Sequence, residues 1–68
     1  MRHYIEFATG ELVIINESFS QKQIGKLAMV IKSDIYNAQI LILHTGEKED
    51  FATYKLIKLE DYHERKSN

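Results

Sequence analysis

The apolar residues of this chain are grouped in short runs separated by polar turns. Such runs, rich in Val, Ile and Leu, predict β-strands at residues 12–15, 26–32, 38–44, about 49–53 and 56–59. The polar segments between them predict a long loop over 17–25, turns over 33–37 and 45–48, and a single helical turn at 54–55. We therefore predict a single all-β domain over residues 1–68, a small five-stranded barrel over about 10–59. The charged tail, 60–68, is expected to form one or two helical turns or to be disordered.

Three of the predicted strands are apolar on both faces. In the third strand, for example, Ala38, Ile40 and Ile42 alternate with Gln39, Leu41 and Leu43. A barrel of this size has one small interior, which cannot hold both sets. The terminal segments could cover the outer set through their own apolar residues, namely Tyr4, Ile5, Phe7 and Tyr62. A subunit interface could also cover it, so we predict a homo-oligomer, and the two explanations are compatible.

Composition limits the classes of function. The formal net charge is −1 with 28% charged residues, so the basic excess of a dedicated nucleic-acid binder is missing. The chain has no cysteine, which excludes disulfides and fits a reducing compartment. Its apolar runs are far shorter than the roughly 20 residues needed to cross a bilayer. We expect a soluble, cytoplasmic protein.

Two glycine-led segments resemble known barrels. Gly10-Glu11-Leu12-Val13 resembles the "G-D-L-V" start of SH3-like barrels. Residues 25–31 are similar to the glycine-led strand of KOW-type barrels, except that Ala28 stands near the usual place of a second glycine. The resemblance implies a five-stranded SH3-like barrel, and free-standing barrels of this size suggest a phage-type protein. An Sm-like barrel is the alternative.

The resemblance also implies a ligand-binding surface, because SH3-like barrels usually hold ligands at the loops that correspond to 17–25 and 33–37. The candidate ligand-binding residues are Phe19, Lys22, Lys26, Tyr36 and Tyr54. Lysines next to aromatic rings suit phosphates and stacked bases, although lysines beside strands commonly serve solubility and edge protection. We predict a binding or assembly module with an unknown protein partner. The alternative is a KOW-like or Sm-like barrel that binds RNA or another nucleic acid.

Catalytic and metal-binding patterns are missing from the sequence. It contains no cysteine nucleophile, no serine elbow and no glycine-rich phosphate loop. Its histidines, His3, His44 and His63, are far apart, and the acidic turn at 47–50 lacks the spacing of a calcium loop. We therefore predict a protein that is not an enzyme and has no cofactor and no metal.

Overall fold

A computed structural model describes the backbone over residues 4–66 and the side chains over residues 4–62. It contains five strands, β1 (Leu12–Ile15), β2 (Leu27–Ser33), β3 (Asn37–Ile42), β4 (Glu47–Ala52) and β5 (Leu56–Lys58). Two 3-10 helices lie at Gln21–Gln23 and Thr53–Lys55, and one α-helix, α1, spans Leu59–Lys66. The predicted all-β fold is confirmed.

The strands form one antiparallel sheet in the order β4-β3-β2-β1-β5. Within residues 4–66, β4 and β5 are the two edges of this sheet and do not pair with each other. The five strands are therefore arranged in one sheet that hydrogen bonds do not close into a barrel. The 3-10 helix at Thr53–Lys55 lies where the sequence predicted a single helical turn, and it links the two edge strands.

The turn between β3 and β4 lies two residues earlier than predicted. Gly46 has a φ of +76°, a left-handed conformation that favours glycine, and its N–H donates to the Ile42 carbonyl (2.7 Å). The turn is therefore complete at Gly46, and Glu47 and Lys48 belong to β4 rather than to the turn. Their charges, typical of a turn in sequence, are tolerated because β4 is an exposed edge strand.

The inner face of the sheet forms the core of the protein. Ile40 and Val30 are completely buried, as are Val13 and Ile15 from the first strand. Phe7, from the segment before β1, joins the same cluster and is 3% exposed. The remaining members are small or aliphatic residues and one aromatic ring from the other strands: Ala28, Ala38, Ile42, Phe51 and Leu56.

The outer face of the sheet is also apolar but is only partly covered. Cross-strand pairing places Leu12 beside Met29 and Met29 beside Leu41 on this face. Leu12 is 38% exposed, and Met29 and Leu41 are half-buried. The outer face is thus a connected apolar surface that is partly open to solvent.

Helix α1 covers one end of the outer face. It packs against β1 and β5, and Ile14, which pairs with Ile57, is 5% exposed although it lies outside the core cluster. Of the terminal residues expected to cover this face, Tyr62 in α1 is half-buried. Phe7 instead enters the inner core, while Tyr4 and Ile5 remain about two-fifths exposed. The sequence left the tail open between one or two helical turns and disorder, and α1 is helical as far as Lys66; residues 67–68 lie outside the residues described.

Candidate ligand-binding surface

Aromatic side chains from four separate segments, half-buried at Tyr54 and exposed at the other positions, meet on one surface, the aromatic strip. It consists of Tyr4, Tyr36, Tyr54, Lys55 and Phe19. The Tyr4 ring contacts Tyr36 edge to face at a centroid distance of 5.3 Å and Tyr54 at 5.4 Å. The Lys55 ammonium lies 6.0 Å from the Tyr54 ring and 5.1 Å from the Phe19 ring. The strip therefore runs from Tyr36 through Tyr4 and Tyr54 to Lys55 and Phe19.

The turn between β2 and β3 fixes the position of Tyr36. The Asp34 carboxylate accepts the N–H groups of Tyr36 and Asn37, each at 2.8 Å. The Tyr36 carbonyl accepts the N–H of Thr53 (2.9 Å), and the Thr53 hydroxyl donates to the Ile35 carbonyl (2.7 Å). Because Thr53 is completely buried at the start of the second 3-10 helix, this helix and the turn are held together. Tyr36 and Tyr54 are thus placed by one hydrogen-bonded unit.

Asp34 is the residue in this turn whose ionisation matters. The N–H groups of Asn37 and Tyr36 favour its charged form and lower the pKa of the Asp34 carboxyl below its ordinary value of 3.8. At neutral pH the turn therefore has an ionised carboxylate as its hydrogen-bond acceptor. Ser33 extends the network, because its hydroxyl donates to the Asp34 carbonyl (2.7 Å) and accepts the N–H of Phe7 (3.2 Å).

Phe19 is the most exposed large apolar residue described, with its side chain fully accessible to solvent. It lies in the loop between β1 and β2, and its one recorded ring partner within residues 4–62 is the Lys55 ammonium. A fully exposed phenylalanine loses none of its apolar surface on folding, so the hydrophobic effect does not explain its position. It keeps its full contact area for another molecule.

The loop that carries Phe19 is fixed to β4. The Gln23 amide donates to the Glu49 carboxylate (2.7 Å), and the Ser18 hydroxyl donates to the Gln23 side-chain oxygen (2.5 Å). Between this loop and β4 lies a groove of about 300 Å³, the β4 groove. Its lining includes Phe19, Gln23, Glu49, Asp50, Ala52 and Lys55. The groove therefore adjoins the Phe19 end of the aromatic strip.

The structure brings three of the five candidate residues from the sequence together and leaves the two lysines apart from them. Phe19, Tyr36 and Tyr54 lie in the aromatic strip, although Phe19 and Tyr36 have no recorded ring contact and are linked through the other members. Lys22, in the first 3-10 helix, lines a separate groove of about 210 Å³. Lys26 is exposed just before β2 and lines none of the grooves described.

Two members of the strip were not candidates in the sequence. The sequence led us to expect that Tyr4 covers the barrel. Its actual partners, Tyr36 and Tyr54, are far away in the sequence, so no local sequence pattern indicates these contacts. Lys55 could have been found, because it directly follows Tyr54 in the predicted helical turn. A lysine adjacent to an exposed aromatic residue on a short helix is placed for a cation–π contact.

Metal and membrane signals are absent from the described part of the chain. No group of three or more His, Asp or Glu side chains in that part could hold a metal ion. Of the three histidines considered as metal ligands in the sequence, His3 and the side chain of His63 lie outside the described residues. None of the helices in residues 4–66 is long and apolar enough to span a membrane.

Comparison with known proteins adds no relative. No protein-family model, curated protein or solved structure matches the chain.

Proposed function

We propose that this protein is a non-catalytic, SH3-like protein-binding module whose ligand surface is the aromatic strip. The observation that carries the proposal is the contact of Tyr4, Tyr36 and Tyr54 edge to face on the surface, with a fully exposed Phe19 beside them. Aromatic side chains contribute large contact areas at a low cost in conformational entropy, and tyrosine is enriched among the residues that dominate binding energy. A surface with several of them suits a protein ligand.

The rigidity of the strip supports the same proposal. Tyr36 is held through its N–H by Asp34 and through its carbonyl by Thr53, so little ordering is required when a ligand arrives. Preorganised surfaces bind more tightly because that entropy cost has been met in folding. We place the module in the cytoplasm, where a domain without cysteine needs no disulfide to fold.

Nucleic-acid binding is the second candidate, favoured by the Lys55 ammonium over the Phe19 ring. Such a pair suits a stacked base and its phosphate. The surrounding charges favour a protein instead, because Glu49 and Asp50 line the groove next to Phe19 and would repel a phosphate backbone. Lys22, in the same loop as Phe19, lines a different groove.

The aromatic strip is tested by selecting ligands from a displayed library of random peptides. We expect the selected peptides to lose about tenfold or more in affinity on Tyr36→Ala or Phe19→Ala, as at binding hot spots. Ile35→Ala is the matched control, since Ile35 is exposed beside Tyr36 but is outside the strip. Peptides that bind all three variants equally would contradict the proposal.

The nucleic-acid candidate is tested on the same protein. Retention of single-stranded RNA at low salt, lost in Lys55→Glu as well as in Lys22→Glu with Lys26→Glu, would favour that function over a protein ligand. We expect no such retention.

Self-association is part of the proposed role as an assembly module. The open part of the outer face, with Leu12, Met29 and Leu41, supports a homo-oligomer, because connected apolar surfaces of this kind commonly mark interfaces. Light scattering across a tenfold dilution tests it. A discrete oligomer is expected, and a monomer at every concentration would contradict it.

A further inference from the structure

The two edge strands of the sheet differ in how much of their backbone is free to pair with another strand. β5 has three residues, its Leu56 N–H donates to the Thr53 carbonyl, and α1 begins directly after it at Leu59. β4 has six residues, and within residues 4–66 it pairs only with β3. The free side of β4 is therefore the longer edge, and it opens into the β4 groove.

The hydrogen-bond pattern shows which groups of β4 are free. Thr53 N–H donates to the Tyr36 carbonyl, and the register continues with Phe51 opposite Ala38 and Glu49 opposite Ile40. In an antiparallel pair, alternate residues direct their N–H and carbonyl groups at the partner strand. The backbone N–H and carbonyl groups of Glu47, Glu49 and Phe51 thus point towards β3, whereas those of Lys48 and Asp50 point away from it.

The outward groups have no other partner in the described part of the chain. Among residues 4–66, no backbone hydrogen bond is recorded to the N–H or carbonyl groups of Lys48 and Asp50. The N–H of Ala52 likewise has no recorded backbone partner outside the sheet in that range. These five groups lie in one line along the edge. They match the spacing that an added antiparallel strand requires.

We propose that the β4 groove binds an extended segment of a partner protein, which pairs with β4 as a sixth, antiparallel strand. The segment carries a basic residue opposite Asp50, an acidic residue opposite Lys48, and an apolar residue between them. This inference rests on the proposed function, since it gives the chemistry of the protein ligand at the Phe19 end of the strip.

The charges of β4 define this pattern. Residues directly opposite each other in neighbouring strands have their side chains on the same face, where opposite charges stabilise the pair. Asp50 and Lys48 are both exposed and therefore select a basic and an acidic partner. The residue between them places its side chain on the other face, beside Glu49. The loop lies on that side, because Gln23 binds the Glu49 carboxylate, and Phe19 lines the groove there.

A second copy of β4 fits this edge less well. Antiparallel pairing that matches Lys48 with Asp50 of the other copy also places Glu49 directly opposite Glu49. Like charges in opposed positions destabilise a strand pair. The edge therefore favours a different segment over its own copy.

The probe is the peptide Thr-Lys-Val-Glu-Thr with blocked ends, titrated into labelled protein and followed by NMR. In the free protein, the amides of Lys48 and Asp50 should exchange with solvent faster than those of Glu49 and Phe51. At saturation we expect the exchange of the Lys48 and Asp50 amides to slow by about tenfold or more, because each gains a hydrogen bond.

Two methylated peptides provide a matched control with unchanged side chains. The lysine N–H of the probe should face β4, and the valine N–H should face away. N-methylation at the lysine should abolish the protection, and N-methylation at the valine should leave it in place. Equal binding of both methylated peptides would overturn the proposal.

Two variants at Asp50 separate the contribution of its backbone N–H to binding from the contribution of its charge. Asp50→Pro removes the outward N–H and keeps the β3 hydrogen bonds, and proline is tolerated on edge strands. It should abolish binding, while Asp50→Asn should weaken it only a few-fold through the lost charge. If Asp50→Pro does not fold, the methylated peptides decide the question.

Three other outcomes of the NMR titration would each have a different meaning. Shifts confined to Tyr4 and Tyr36, without protection of β4 amides, would overturn this inference and leave the proposed function standing. No shifts with the peptide at millimolar concentration would also overturn it. Protection of the same amides that rises with protein concentration alone would assign the edge to a second copy instead.

Discussion

The two faces of the central sheet have similar apolar sequences but different degrees of burial. Ile40 on the inner face is completely buried, whereas Leu41, the next residue of β3, is half-buried on the outer face. The inner face is buried because residues of all five strands pack there in one cluster with Phe7. Within the described residues, the outer face is covered by α1 only at the β1–β5 end. An apolar pattern on both faces thus indicates two surfaces to be covered. It does not indicate what covers each one.

The largest expected effect tests the difference between the faces directly. Ile40→Ala should lower the free energy of unfolding by about 3 kcal/mol, since it removes a completely buried side chain and leaves a cavity. Leu41→Ala should cost about 1 kcal/mol, because its side chain remains partly in water. Urea unfolding followed by circular dichroism measures both. This difference applies to the monomer at low protein concentration, and equal losses there would contradict the difference between the two faces. Where the proposed oligomer forms, the loss on Leu41→Ala should instead rise with protein concentration.

A second, intermediate effect concerns assembly rather than stability. Leu41→Lys should reduce the mass of the proposed oligomer in light scattering to that of the monomer, since a charge at the centre of the proposed apolar interface cannot be desolvated cheaply. Gln39→Lys, on the same strand and face but outside the apolar surface, is the control and should keep the oligomer. An oligomer that survives Leu41→Lys would place the interface elsewhere.

The smallest effect belongs to the turn that carries Tyr36. The pKa of Asp34 is lowered in the folded protein, so its contribution to stability is present above its ordinary value of 3.8 and is lost as the pH falls below it. Asp34→Asn keeps an acceptor oxygen without the charge. We expect the wild type to melt at a higher temperature than Asp34→Asn at neutral pH, with the gap closing as the pH falls below 3.8 and through the lowered pKa of Asp34. A gap that widened on acidification would contradict this assignment.

Much of the fold could be predicted because its signals are local. β1 was predicted with its observed bounds, and the single helical turn before β5 was found from Tyr54 and Lys55. The start of β4 was wrong by two residues, since Glu47 and Lys48 have turn-like charges and only the conformation of Gly46 places them in the strand. The bridge from Thr53 to the Ile35 carbonyl joins distant segments, so no sequence window contains it.

In the candidate site, too, local features could be predicted from the sequence and contacts between distant segments could not. Phe19, Tyr36 and Tyr54 stand out as aromatic residues in predicted loops and turns, and the structure places all three in the strip. Their order along the strip depends on Tyr4, which comes from a segment without regular structure. The free edge of β4 was not predicted either, because strand order is a property of the whole sheet rather than of any one strand.

The strip also gives the protein a built-in optical reporter. The chain has no tryptophan and four tyrosines, three of which lie in the strip. Its ultraviolet emission therefore arises largely from the surface proposed to bind ligand. A ligand that lacks tyrosine and tryptophan can be titrated against the unlabelled protein, and a change in that emission reports its arrival at the strip.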